Sequence, residues 1–294
     1  MRFIALLFLI LPCFLAALQP VACPPPQRLL NLFRATETIE SETPILLPCC
    51  YDGLTARLIA RAGFDATFLT GFGVSAVHGF PDTQLISYAE MQQTAGIVAE
   101  ALSSVAHEAK RGISPSGASS TTPIPCIVDG DTGYGNSVNV KRTVFGYAQA
   151  GMAGIMIEDQ IAPKRCGHVA GKSVVDVPEA IQRVKAACDA RDEYEEQFGP
   201  GTGPLILART DAAAIRGLGF DAAVERCLAF QEAGCDMTFL EAPETVEQMK
   251  EYCLRVPGPK LANMVRRCNT LVFKMKMLWT IIANEVQNLV EDLS

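Results

Sequence analysis

Three separated segments repeat one short pattern, and that pattern restricts the fold more than any other feature of the chain. Ala60-Arg61-Ala62-Gly63-Phe64-Asp65-Ala66-Thr67-Phe68-Leu69 is the first, and residues 148–157 and 231–240 are the others. Each runs from an Ala-rich amphipathic stretch through a glycine into a short apolar run. Gly63, Gly151 and Gly234 stand where a helix ends in a left-handed residue, a conformation open to a residue without Cβ. The apolar runs do not alternate with polar residues, as expected of strands covered on both faces. Further apolar runs at 45–49, 125–128, 204–208 and 260–264 bring the expected strands to seven. Helices are predicted over 53–62, 87–110, 137–150, 176–197, 220–233 and 244–255. The result is a helix-covered parallel sheet, either doubly wound or closed as a (β/α)₈ barrel.

The ends of the strands decide between these two. Later strands run into Thr70-Gly71, Asp129-Gly130-Asp131, Glu158-Asp159, Arg209-Thr210-Asp211, Glu241 and Asn263. Functional groups at successive strand ends describe the catalytic mouth of a barrel. A nucleotide-binding sheet would need a Gly-rich turn after its first strand, and Gly71-Phe72-Gly73 lacks the third glycine. The predicted fold is therefore a TIM-type (β/α)₈ barrel over residues 26–265.

Composition excludes some functions. A net charge of -7 and a pI near 5.1 argue against nucleic acid as a partner, so an anionic ligand needs a local cation. Eleven cysteines occur without paired CxxC spacing, which reads as buried thiols of a reduced protein rather than a zinc site or disulfide framework. Residues 1–25, with Arg2 ahead of the apolar run Phe3–Leu18, read as a signal-like targeting segment too short to span a membrane. Pro24-Pro25-Pro26 reads as a linker. Residues 111–123 form a Gly/Ser/Thr/Pro-rich insertion, and 189–203 a second surface excursion. His78 and His107 have no chemical context and are taken as structural or exposed.

The chemistry concentrates between Glu158 and His168. Asp129 and Asp131 after one strand, with Glu158 at the next strand end and Asp82 as a further carboxylate, suit a hard cation such as Mg²⁺. Taken alone, Asp129-Gly130-Asp131 also reads as a solvated turn. Lys164, Arg165 and His168 lie on a Gly-containing loop without apolar periodicity, and Arg209 ends another strand; these cations can bind carboxylates. Cys166, between Arg165 and His168, is expected to carry a thiol of lowered pKa, a competent acid, base or nucleophile.

Together these motifs resemble the isocitrate lyase/phosphoenolpyruvate mutase superfamily over about residues 28–265. Lys164-Arg165-Cys166-Gly167-His168 matches the gating loop of its lyases, whereas the mutase and phosphonopyruvate hydrolase branches lack this Cys and His. The resemblance implies a Mg²⁺ site (Mn²⁺ as substitute) at Asp129, Asp131 and Glu158, with Asp82 close by. It implies substrate contacts from Thr70, Gly71, Phe72, Gly167, Arg209, Glu241 and Asn263, and proton transfer by Cys166 on the loop shared with Lys164, Arg165 and His168. The lyases usually have Ser where Thr70 stands. The implied activity is carbon–carbon cleavage of a small dicarboxylate such as 2-methylisocitrate, a dimethylmalate-like acid or oxaloacetate. The alternatives are a phosphonate-forming mutase and a non-catalytic remnant. The family forms homotetramers, and its pattern continues past Met264 into an eighth strand and terminal helices. Here residues 266–294 show helical apolar spacing instead, so the barrel is expected to lack its eighth strand and terminal helices, as in a truncated or alternatively spliced product.

Overall fold

The computed structural model describes residues 23–38, 44–113, 120–166 and 171–263. Seven strands form one sheet: β1 (Cys49–Cys50), β2 (Thr67–Leu69), β3 (Cys126–Asp129), β4 (Gly154–Glu158), β5 (Leu205–Thr210), β6 (Met237–Leu240) and β7 (Lys260–Leu261). They are hydrogen-bonded in chain order, and every pair is parallel. A sheet that never reverses its strand order has no switch point at which a doubly wound fold would bind a ligand. It curls as seven strands of a barrel. The family's eighth strand and the predicted helical tail fall on residues 264–294, outside the described residues, as does most of the signal-like segment.

Eight α-helices accompany the strands among the described residues: α1 (Pro25–Thr38), α2 (Gly53–Arg61), α3 (Gly71–Val77), α4 (Tyr88–Lys110), α5 (Ser137–Gln149), α6 (Val177–Phe198), α7 (Gly219–Glu232) and α8 (Val246–Arg255). Their starts are written in the sequence. Asp52, Asn136, Asp176 and Thr245 each accept backbone N–H bonds at an N-cap. The glycines of the repeat do turn left-handed, with φ of 80° at Gly63, 84° at Gly151 and 100° at Gly234.

Three expectations need correction. Pro24-Pro25-Pro26 is not a linker: Pro25 and Pro26 open α1, where a missing N–H costs nothing and the ring sets a helical φ. Residues 189–198 are not a surface excursion, because α6 continues to Phe198 and only 199–203 form the loop. The first strand is two residues at Cys49–Cys50 rather than the run 45–49.

The strand period of two sorts the sheet into two faces. Phe68, Ile127, Met156, Leu205, Leu207, Met237 and Phe239 share the inner cluster. Leu29 of α1, fully buried, joins that cluster, with Phe33 packed against it. The outer face packs Leu69, Cys126, Val128, Ile155, Ile157, Ile206 and Ala208 against the helices. Continuing the inner parity to the C-terminal ends reaches Thr70, Asp129, Glu158, Arg209 and Glu241. The same alternation that builds the core therefore places the charged groups in one layer above it.

Candidate active site

The mouth is built upward from that layer. Asp129 is buried and holds two backbone amides: Gly71 N donates to Oδ2 at 3.3 Å and Asp131 N to Oδ1 at 3.0 Å. Gly71 is required at this approach, since a Cβ there would stand 2.9 Å from Asp129 Oδ2. Thr70 caps the short helix that follows, its Oγ1 accepting from Gly73 N. Phe72, on the first turn of α3, is 58 % exposed. Asp131 lies in a turn at φ +46°, and its carbonyl accepts from Glu158 N at 2.9 Å, which ties the ends of β3 and β4 together.

Lys164 stands among these carboxylates. Its Nζ is 2.5 Å from Asp82 Oδ1 and 2.8 Å from Asp131 Oδ1, with the lysine side chain only 5 % exposed. Burial alone would lower the pKa of its ammonium, but Asp131, Glu158, Asp129 and Asp82 outweigh it and hold it well above the usual lysine value. Burial and the neighbouring Asp129 push Asp131 up to about 6, with Lys164 opposing. Burial raises Glu158 well above the ordinary carboxylate range against the pull of Arg209.

Arg209 forms the second half of the mouth. Its guanidinium bonds Asp211 through Nε at 2.9 Å and Nη2 at 3.1 Å. It also faces Glu158 Oε2 at 3.5 Å and Glu241 Oε2 at 3.4 Å, and covers the Phe239 ring at 5.3 Å. Asp211 is shared with Lys172, 2.7 Å away and buried, so the far end of the Lys164 loop is tied to the arginine. The near end is tied by Gln160, whose side chain bonds both Arg165 N and Arg165 O. Beneath it, Asp159 pairs with Arg226 and accepts from Thr210 Oγ1 and Asp211 N.

The expected site residues are thus unevenly placed. Asp82, Thr70, Gly71, Asp129, Asp131, Glu158, Lys164, Arg209 and Glu241 share the mouth. Arg165 is exposed, with its guanidinium lying beside Gly171. Cys166 is half-buried, Asn263 is exposed past the end of β7, and Gly167 and His168 lie outside the described residues. Among the described residues, no three His, Cys, Asp or Glu groups form a ready metal cage. The donor set still fits a hard cation. Glu158 Oε1 is buried and makes no hydrogen bond among the described residues, and an ammonium already sits between Asp82 and Asp131. Mg²⁺ needs only one or two carboxylates, because it keeps several waters.

The family model for phosphoenolpyruvate phosphomutase matches residues 36–278. The chain belongs to the phosphoenolpyruvate mutase/isocitrate lyase superfamily of enzymes. It is 40 % identical to the 2,3-dimethylmalate lyase of Eubacterium barkeri over 239 residues, 81 % of this chain and 72 % of that one. Among solved structures it is similar to oxaloacetate acetylhydrolase in complex with the inhibitor 3,3-difluorooxalacetate. The TM-score is 0.66 at 31 % identity, over 80 % of this chain and 70 % of that one. It is also similar to phosphonopyruvate hydrolase in complex with oxalate and Mg²⁺, with a TM-score of 0.61 at 26 % identity, over 81 % and 70 % of the two chains.

The geometry adds residues that the sequence alone left without a role. Asp211 appeared only as the end of Arg209-Thr210-Asp211, and its double engagement needs the fold to be seen. Lys172 carried no signal, being a lone cation after a glycine. Gln84 and Thr132, whose side chains bond across 48 positions of sequence, carried none either.

Proposed function

We propose that this chain is a divalent-metal-dependent enzyme that cleaves a carbon–carbon bond of a small 2-hydroxy or 2-oxo dicarboxylate. The charge balance of the mouth carries this reading. Asp82, Asp129, Asp131, Glu158, Asp211 and Glu241 line it, while Lys164, Lys172 and Arg209 are the cations that pair with them. Even with Glu158 protonated, five carboxylates against three cations would repel a dicarboxylate in a poorly solvated cleft. Asp129, Asp131 and Glu158 would hold a divalent ion there, whose charge would offset that excess. When bound, Mg²⁺ would supply Lewis acidity toward the substrate's 2-oxygen and stabilise the charge that develops there.

The chain's own groups then divide the remaining work. Arg209, held by Asp211, presents a fixed cation to a substrate carboxylate. Gly71 and Thr70 line the wall opposite. In cleavage of a 2-hydroxy acid an ionised carboxylate of the mouth takes the hydroxyl proton and later releases it to solvent, the C2–C3 bond breaks, and the electron pair remains on the α-carbon of the departing carboxylate. Cys166 Sγ–H, on the sequence segment that also carries Lys164 and His168, gives its proton to that carbon, leaving a thiolate that solvent reprotonates. For a 2-oxo acid, addition of water to the carbonyl precedes the same bond breaking.

Turnover of a panel of 2-hydroxy and 2-oxo dicarboxylates with Mg²⁺ tests the reading, with oxalate as a competing ligand. Cys166→Ser is expected to keep Mg²⁺ binding and lose about 10²-fold or more in turnover, the usual worth of a positioned proton donor. Unchanged turnover would remove Cys166 from the reaction. A phosphonate-forming mutase is the second reading, favoured by the family model that matches. It predicts interconversion of phosphonopyruvate and phosphoenolpyruvate that is indifferent to Cys166→Ser.

A further inference from the structure

Four non-glycine residues among the described ones hold φ in the left-handed region: Gln84 (+59°), Asp131 (+46°), Tyr134 (+60°) and Ala242 (+57°). All four stand at the acidic mouth. Asp131 and Tyr134 are in the turn after β3, Ala242 directly follows Glu241, and Gln84 is two residues beyond Asp82. Such backbone is strained for a residue with a Cβ and persists only where surrounding contacts over-determine it. For Gln84 the contact is explicit. Its Nε2 donates to Thr132 Oγ1 at 2.9 Å, and that hydroxyl donates back to Gln84 Oε1 at 3.3 Å. Thr132 is 1 % exposed and immediately follows Asp131. The clasp therefore joins the two turns that present Asp82 and Asp131 to the same Lys164 ammonium.

We infer that Gln84 is a positioning residue, whose clasp on Thr132 sets the spacing of Asp82 and Asp131 and so the shape of the acidic wall. Its functional consequence rests on the reading of that wall as the metal and dicarboxylate site. A glycine would suit the backbone at position 84 better than glutamine does, so what glutamine adds is the side-chain bond. Stability and ligand binding should consequently respond to substitution in opposite senses, which a merely structural residue would not do.

The test compares Gln84→Gly, Thr132→Val and Thr132→Ser in the full chain. Oxalate affinity in the presence of Mg²⁺, the melting temperature and amide hydrogen exchange over residues 129–135 are measured for each. Gln84→Gly is expected to melt at or above the wild-type temperature, because the relieved strain offsets the lost bonds. Its oxalate affinity should fall about three- to tenfold, the worth of one or two hydrogen bonds, while exchange over 129–135 rises. Thr132→Val should repeat both changes, Thr132→Ser should restore wild-type values, and the Gly/Val double variant should be no weaker than the weaker single one. Unchanged exchange and affinity in Gln84→Gly would overturn the inference, as would an affinity loss that merely follows a fall in melting temperature. If the wild type binds neither Mg²⁺ nor oxalate while both clasp variants still exchange faster over 129–135, the metal–dicarboxylate reading fails and the clasp stands.

Discussion

Replacing Lys164 by Met leaves Asp82 and Asp131 facing each other without the ammonium that now lies 2.5 Å and 2.8 Å from them. Removing one partner of a buried ion pair costs roughly 3–5 kcal/mol when the remaining charge cannot escape. Here it can escape by protonation, because burial already holds Asp131 at about 6 rather than the usual 3.8. A buried acid with a raised pKa takes up a proton on folding. Its contribution is therefore most favourable in acid and is lost as pH rises through the folded value, by about 1.4 kcal/mol per unit. In the wild type that loss ends near pH 6. Without Lys164 the folded pKa of Asp131 moves higher and the loss continues. The variant should match the wild type to within about 1 kcal/mol at pH 5 and fall about 3 kcal/mol below it at pH 8, a drop of roughly 6–12 °C in melting temperature. Mg²⁺ should stabilise the variant at least as much as the wild type, since binding to the folded form adds free energy by mass action and Lys164 no longer competes for Asp131. Urea and thermal melts at the two pH values, with and without Mg²⁺, measure all of this. A deficit of the same size at pH 5 and pH 8 would refute the coupling between Lys164 and Asp131.

Other consequences are equally direct. Mg²⁺ affinity, followed by calorimetry, should weaken about tenfold per pH unit below about 6, because a protonated Asp131 is a poor ligand; a flat profile down to pH 5 would exclude Asp131 from the metal site. Arg209→Lys should fold but lose about 10²-fold in kcat/KM, since an ammonium cannot reproduce the two bonds to Asp211 while meeting a substrate carboxylate. Asp211→Asn leaves Arg209 and Lys172 without their shared buried carboxylate and should destabilise the fold by roughly 2–4 kcal/mol in urea melts. If residues 1–25 act as a removable targeting segment, mass spectrometry of protein purified from its native source should find a chain starting near Pro24, and an intact Met1 would refute that.

What could be read from the sequence divides along a physical line. The helix–glycine–strand repeat and the apolar runs depend on local preferences and a period of two. They therefore placed β2 to β6 closely and, by position at successive strand ends, marked Asp129, Glu158, Arg209 and Glu241 as groups of one mouth. Helices α1 and α3 escaped for different reasons. Pro25-Pro26 looks like a linker until the helix is seen to begin on it, and Gly71-Phe72-Gly73 is a poor helix former held by the Thr70 cap and the contact with Asp129.

The residues that position the site were illegible for a different reason. Lys172, Gln84 and Arg226 act through partners 39, 48 and 67 positions away, so nothing in their own neighbourhood marks them, and the engagement of Asp211 by Lys172 is equally remote. Their effect is nonetheless what fixes the chemistry. Arg209 is a usable cation only because Asp211 holds it, and Asp211 can stay buried and ionised because Arg209 and Lys172 hold its pKa down against burial. The segment carrying Cys166 is fixed at one side by the Gln160 amide on the Arg165 backbone and tied to this charge network at the other by Lys172. The position of the thiol is thus coupled to the same buried charges that would receive the substrate. A change in charge at Asp211 should accordingly alter both substrate affinity and the reactivity of Cys166, whereas a change at exposed Arg165 should alter neither through this route. Alkylation rates of Cys166 in Asp211→Asn and Arg165→Ala would separate the two: equal rates in both variants would break the proposed link between charge network and thiol.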